Sequence, residues 1–328
     1  MKAQLLQTYG ETPDFRQAEV DTPVLRPGHV LVRVAATSVN PIDIKMRVMR
    51  PAFAPPLPAI LGMDVAGVVE SVGEGVEGFR PGDAVFGCAG GIADLPGALA
   101  ELMPCDARLL APKPANLTME EAAALPLVTI TAWQALHDRA RVASGQSVLV
   151  HAGAGGVGHV AVQLAKAAGA RVATTVSSKE KAELAAALGA DEVVDYRREK
   201  PGEYVARLTD DRGFDVVFDT VGGANLDASF AAAAPGGIVV STNTRSTHDL
   251  SPMHAGGLTL SVVFMLLPLV TGRGREAHGA IMRQAAKLAA EGRLRPHLGR
   301  VLSWRDIAQA HDIVAGGRTM GKVVVRID

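Results

Sequence analysis

Residues 146–181 read QSVLVHAGAGGVGHVAVQLAKAAGARVATTVSSKEK. The apolar run Val148–Ala152 meets a glycine cluster, Gly153, Gly155, Gly156 and Gly158. The following segment, Val157–Ala168, has helical spacing, with Val160, Leu164 and Ala168 on one face. Gly169 closes it, and Arg171–Val176 is a second β-prone run. Strand, glycine turn, helix and strand make one βαβ unit. Gly153 is expected to permit the tight turn that leaves the strand. Gly155 would let backbone approach a pyrophosphate without a Cβ in the way, and Gly158 would let the helix pack closely. N–H groups at the helix start, around Gly156 and Val157, lack carbonyl partners and suit phosphate oxygens. The pattern points to a bound dinucleotide; the plainer alternative is a glycine-rich turn that binds nothing.

The end of the second strand decides which dinucleotide. Sites for NAD carry Asp or Glu about 20 residues past the glycines to hold the ribose 2′-hydroxyl. Here that place holds Ser177 and Ser178, followed by Lys179 and Lys181, with no carboxylate before Glu180. A carboxylate would repel a 2′-phosphate, whereas hydroxyls and a lysine bond and neutralise it. The spacing therefore favours NADPH. The alternative is that both lysines are the solvated first turn of a helix.

Bulk properties narrow the partners. A length of 328 residues allows two domains, and 48% hydrophobic residues supply a sizeable core. The net charge of −1 gives no basic field, and 4% aromatics make no base-stacking platform, so neither nucleic acid nor an anionic membrane is implied. The longest apolar run, Leu258–Val270, is too short for a bilayer and contains Pro268. Met1–Gly10 shows no secretory pattern, and Cys88 and Cys105 make no disulfide framework, so the chain reads as cytoplasmic.

Outward from the glycine loop the texture changes twice. His29–Thr37 alternates as a half-buried strand, and Asp64–Val72 and Asp83–Gly87 look like further short strands. Gly/Pro turns separate them, and Pro51–Pro58 reads as a surface or cleft loop, which suggests a small barrel-like β domain. From Ser147 to Phe264, β and α patterns alternate, with six candidate strands ending in Ile238–Ser241 and Thr259–Phe264. That series predicts an α/β fold with a doubly wound parallel sheet. Glu276–Glu291 is helical in pattern, Ser303-Trp304-Arg305-Asp306 looks like a capping box, and Gly321–Ile327 alternates as a last strand. The expected division is a first domain begun by residues 1–125, a dinucleotide-binding domain over 126–264, and a return to the first domain over 265–328.

Several stretches together resemble a known family, the medium-chain dehydrogenase/reductases, in their zinc-independent quinone oxidoreductase branch. They are Ser38-Val39-Asn40-Pro41-Ile42-Asp43, Leu61-Gly62-Met63-Asp64-Val65-Ala66-Gly67, Thr131-Ala132-Trp133-Gln134-Ala135-Leu136, the loop at 151–158 and Asp219-Thr220-Val221-Gly222-Gly223. The resemblance covers nearly the whole chain and implies a Rossmann domain inserted into a discontinuous GroES-like domain. It also implies NADPH-dependent two-electron reduction of quinones or α,β-unsaturated carbonyls. Asn40 and Thr131 would lie near the nicotinamide and its ribose, with Val221, Gly222 and the turn from Ser241 to Asn243 lining the same pocket. Lys181 and Tyr196 match positions that grip the 2′-phosphate, and Arg318 would be a further clamp. Paired edge strands at Thr259–Phe264 would make a homodimer.

Two departures bear on chemistry. Zinc-dependent relatives carry cysteine at the place of Asn40 and a His-Glu pair at Met63-Asp64, and a lobe of four close cysteines. Asn40 and Met63 are poor ligands and the two cysteines stand apart, so no zinc is expected. Many quinone-reducing relatives have tyrosine where Lys45 stands. An ammonium there could donate a hydrogen bond or a proton to the oxygen gaining charge, or it could be a surface lysine. His137, His151 and His159 read as structural. Two rivals remain at this point: an enoyl-thioester reductase on the same scaffold, and a non-enzymatic NADPH-binding sensor or accessory protein.

Overall fold

The structure is a computed structural model that describes residues 1–328. The chain forms two compact units, one of residues 1–130, 266–292 and 296–328, the other of residues 131–265 and 293–295.

In chain order the first unit opens with β1 (Lys2–Thr8), β2 (Asp14–Glu19), β3 (His29–Val39), α1 (Pro41–Met49), β4 (Ala59–Ile60), β5 (Asp64–Val72) and β6 (Ala84–Cys88). It continues with β7 (Leu102–Asp106), β8 (Leu110–Pro112) and α2 (Met119–Ala123), and α3 (Pro126–Trp133) runs on into the second unit. The second unit then holds β9 (Ser147–Val150), α4 (Gly158–Ala167), β10 (Arg171–Val176), α5 (Lys179–Ala187), β11 (Glu192–Asp195), α6 (Pro201–Thr209) and β12 (Phe214–Asp219). It closes with α7 (Ala224–Ala232), β13 (Ala233–Ser241), α8 (Ser251–Gly256) and β14 (Thr259–Val262). The return supplies α9 (Leu267–Thr271), α10 (Arg275–Ala290), β15 (Leu298–Ser303), α11 (Ile307–Ala315) and β16 (Lys322–Arg326).

In the second unit six strands run parallel in the order β11-β10-β9-β12-β13-β14. Numbered within the unit this is 3-2-1-4-5-6, the doubly wound order, and it reverses between β9 and β12. The sheet is held by apolar side chains from successive strands, Leu149, Ala173, Val194, Val217 and Val239, packed with Leu208 of α6 and Phe230 of α7. Each large member contributes roughly 1.5–3 kcal/mol by leaving water. The crevice at the strands' carboxyl ends, beside the β9/β12 reversal, is where such sheets bind ligands.

The first unit is antiparallel for the most part. Its main sheet runs β15-β16-β3-β5-β6-β8, with β7 also on β3, and a small sheet runs β2-β1-β4. The last strand, β16, lies antiparallel to β3 with Val323 opposite Val39. Leu6, Val39, Trp304, Val323 and Val325 share one buried cluster there. Ser303 accepts from the backbone N–H of Arg305 and caps a short 3-10 turn rather than opening the helix through a capping box, and α11 itself begins only at Ile307. No helix is long and apolar enough to cross a membrane.

Candidate cofactor and active site

The glycine loop divides its work differently from the expectation. The left-handed residue of the turn is Ala152, at φ 56°, and Gly153 is not in that region. Gly153 is needed for a different reason: a Cβ there would stand 2.0 Å from Thr174 Oγ1, whose hydroxyl donates to Val150 O at 2.6 Å. At Gly158 a Cβ would meet Ala152 O at 2.1 Å, so this glycine closes the loop on itself. Gly155 differs from both. Its Cβ would meet nothing nearer than Ala152 O at 3.2 Å, so the protein's own packing does not demand glycine there. The space is left for something else, beside the opening turn of α4, where Gly156, Val157 and Gly158 present backbone N–H groups. His151, just before the loop, is buried with Nδ1 3.2 Å from Thr175 Oγ1. Burial lowers its pKa to about 4, so it is a neutral strut.

At the end of β10 the serines and one lysine come together. Ser178 caps α5 by accepting from the N–H of Lys181, and Lys181 Nζ donates to Ser177 Oγ at 3.3 Å. Lys179 instead points to solvent and pairs with Glu183 at 3.8 Å. Tyr196 follows β11, whose Asp195 pairs with Val176; its backbone N–H donates to Val176 O and its side chain is 56% exposed. The carboxylate of Asp195 beside it accepts from Arg197 N at 3.0 Å and pairs with Arg198 at 3.4 Å. Sequence alone did not single out Arg197 or Arg198.

A third group hangs on Asp219, at the end of β12. Its buried carboxylate accepts from the N–H groups of Val221 and Gly222, from Asn225 Nδ2 at 2.8 Å and from Ser241 Oγ at 2.9 Å. Ser241 Oγ in turn accepts from Asn243 N, and Asn243 Nδ2 donates to Val221 O. Gly222 sits at φ 78° where a Cβ would lie 2.3 Å from Asn243 O. Val221, Ser241 and Asn243 are therefore one fixed assembly, with Asp219 as its centre. Thr131, in α3, is buried.

In the first unit Asn40 is buried at the corner between β3 and α1. Its Nδ2 donates to Asp64 Oδ2 at 2.8 Å, and its Oδ1 accepts from Lys322 Nζ of β16. Asp64 also accepts from Ser38 Oγ at 2.5 Å and from Leu127 N at 2.8 Å. Asp43 accepts from Asn40 N at 2.8 Å, while its other oxygen is buried without a partner. Burial, with the nearby Asp64 adding to it, pushes Asp43 up to about 7. Lys45 and Arg318 are both exposed, on α1 and in the turn before β16, and neither joins this cluster.

The same geometry tests a zinc site. Asn40 has both ends of its amide in use, and the Met63 thioether is fully buried. The Asp64 carboxylate already accepts from Ser38, Asn40 and Leu127 and faces the Lys322 ammonium at 3.8 Å. Cys88 is buried, and desolvation raises its thiol well above the ordinary range, so it offers no ready thiolate. No three His, Cys, Asp or Glu side chains stand together to hold a metal ion. These residues do not fit zinc.

Comparison with known proteins agrees with the fold. Residues 26–115 match the alcohol dehydrogenase GroES-like domain, and residues 188–325 match a family described as zinc-binding dehydrogenase. The rat quinone oxidoreductase is 31% identical over 94% of this chain and 92% of its own length. A tomato 2-methylene-furan-3-one reductase is 38% identical over 80% of this chain and 71% of its own. Among solved structures, an alcohol dehydrogenase superfamily protein from Novosphingobium aromaticivorans superposes with a TM-score of 0.96 at 44% identity, over the full length of both chains. The Escherichia coli quinone oxidoreductase complexed with NADPH superposes with a TM-score of 0.88 at 26% identity, again over both full chains. The fold is that of an oxidoreductase with a Rossmann sheet and a GroES-like domain. The chain belongs to the medium-chain dehydrogenase/reductase family, in its quinone oxidoreductase branch.

Proposed function

We propose that the protein is an NADPH-dependent, zinc-free reductase of quinones or α,β-unsaturated carbonyls. The observation that carries the cofactor choice is the Ser177–Ser178–Lys181 group at the end of β10, which offers hydroxyls and a cation where a carboxylate would select NADH. NADPH supplies the hydride; everything else is binding and orientation by the chain. The backbone N–H groups at Gly156, Val157 and Gly158 take the pyrophosphate, in the space that Gly155 leaves clear. The assembly of Val221, Ser241 and Asn243 around Asp219, with Thr131, is assigned to the nicotinamide end; Asn40 is assigned separately as the fixed polar group at the start of α1. Lys45, exposed on α1, is assigned as the donor to the acceptor's oxygen, whose charge grows as hydride arrives. Arg318 is assigned as an outer clamp. The Escherichia coli relative solved with NADPH and the quinone and furanone reductases among the relatives support this assignment. Its test is steady-state NADPH oxidation across a panel of quinones and enones. Turnover with at least one acceptor class is expected, and cofactor binding without any turnover would favour a sensor or accessory role.

Lys181→Ala should weaken NADPH binding about tenfold and leave NADH nearly unchanged. Opposite unit charges at ~4 Å are worth about 4 kcal/mol at an effective dielectric of about 20. Screening in an open groove leaves roughly 1–2 kcal/mol of that, or about tenfold. Titration calorimetry with both cofactors checks it. An unchanged NADH-to-NADPH ratio would reduce Lys181 to a solvated helix residue.

A homodimer is part of the same proposal. β14 is the edge of the six-stranded sheet, and its Val262 and the following Phe264 are 45% and 44% exposed. A β-prone edge of that composition is ordinarily covered. Light scattering at micromolar concentration should give twice the chain mass; a monomer counts against pairing at this edge.

A further inference from the structure

We propose that Lys322 is the positioning residue of the active-site corner: its buried ammonium locks the amide of Asn40 and thereby fixes the start of the helix that presents Lys45. The inference rests on the assignment of Asn40 and Lys45 made above.

Four observations converge. The side chain of Lys322 is 3% exposed, with Nζ donating to Asn40 Oδ1 and to Val39 O at 3.4 Å, and lying 3.8 Å from Asp64 Oδ2. An ammonium only donates and a carboxylate only accepts, so Asn40 has one possible orientation between Lys322 and Asp64. The backbone delivers Lys322 to this spot by register, since Val323 lies opposite Val39 and the chains run antiparallel, which carries Lys322 toward Asn40. The approach is also specified locally. Gly321 is left-handed at φ 60°, a Cβ there would stand 2.1 Å from His297 O, and Lys322 N donates to that same carbonyl at 2.9 Å.

Stability alone does not call for this arrangement, because well-packed apolar residues commonly match or better a buried ion pair. What the ammonium adds is direction. Asn40 precedes α1 and bonds its first turn through Asp43, so a fixed Asn40 fixes the helix axis and the place of Lys45 one turn on. The ionisable groups facing Lys322 are Asp64 on β5, Asp43 on α1 and Cys88 on β6. One cation therefore faces two carboxylates, and burial pushes Asp43, which has an unpartnered oxygen, up to about 7.

The test uses the full chain and the variants Lys322→Met, Lys322→Arg and Asn40→Ala. Lys322→Met should lower kcat for the best acceptor about tenfold to hundredfold. The KM for the acceptor and the NADPH dissociation constant should move less than threefold. Lys322→Arg should recover part of the loss. In the Asn40→Ala background Lys322→Met should cost less than threefold more, because it acts through Asn40. Wild-type kcat in a folded Lys322→Met variant, or losses that multiply in the double variant, would overturn the proposal. If the wild type turns over no acceptor, the functional assignment fails by itself. The clamp is then read from exchange of the Asn40 side-chain amide protons by 15N NMR. Exchange at least tenfold faster in Lys322→Met supports the lock, and equal rates overturn it.

Discussion

Gly155→Ala is expected to fold as the wild type does and to bind NADPH about a hundredfold more weakly. The added Cβ meets only Ala152 O, at 3.2 Å, which a shift of a few tenths of an ångström relieves. The methyl group then stands where the pyrophosphate must approach the N–H groups opening α4, and holding the phosphates off by a methyl's thickness weakens several charge-assisted bonds at once. Two good contacts at roughly tenfold each give the hundredfold figure. Gly158→Ala is the contrast, because its Cβ would lie 2.1 Å from a backbone oxygen, and overpacking of that kind typically costs about 1–3 kcal/mol of stability. Melting curves and cofactor titrations on the two variants separate the roles. Gly155→Ala with unchanged affinity would show that the open space is not the phosphate site.

Asp64→Ala should lower stability by about 3–5 kcal/mol, because it strips the buried Lys322 ammonium of the carboxylate it faces at 3.8 Å. It also leaves Ser38 Oγ, Asn40 Nδ2 and Leu127 N without their acceptor. In a chain of this size the loss corresponds to a fall in Tm of roughly 10 °C. Asp64→Asn keeps the shape and one acceptor oxygen and should fall about half as far. Thermal unfolding measures both. A drop of less than about 2 °C for Asp64→Ala would mean that the cluster does not bear on stability.

The glycine spacing announced the βαβ unit because Gly153 and Gly158 answer close approaches, to Thr174 and to Ala152, while Gly155 leaves space beside the start of α4. Which residue turns left-handed was not legible: Ala152 takes the strained φ, and nothing in its side chain advertises that. The boundary of β13 was also hidden. The spacing predicts a strand at Ile238–Ser241, yet it starts at Ala233, which pairs with Phe214 across an irregular register. Ser177, Ser178 and Lys181 were readable because one strand end and one helix cap place them, all within a few residues. Lys322 was not, since its partner Asn40 is 282 positions away and only the β16–β3 register brings them together. Asp219 appeared as part of a motif; its role as the hub for Val221, Ser241 and Asn243 needed the sheet.

The most direct test is isotopic transfer. NADPH deuterated at both C4 positions is incubated with the protein, an α,β-unsaturated ketone and a strong metal chelator, and the reduced product is analysed by mass spectrometry. One deuterium on the β-carbon is expected for each NADPH oxidised, at the same rate with and without chelator. Activity lost to the chelator and restored by zinc, or label absent from a product that does form, would contradict it.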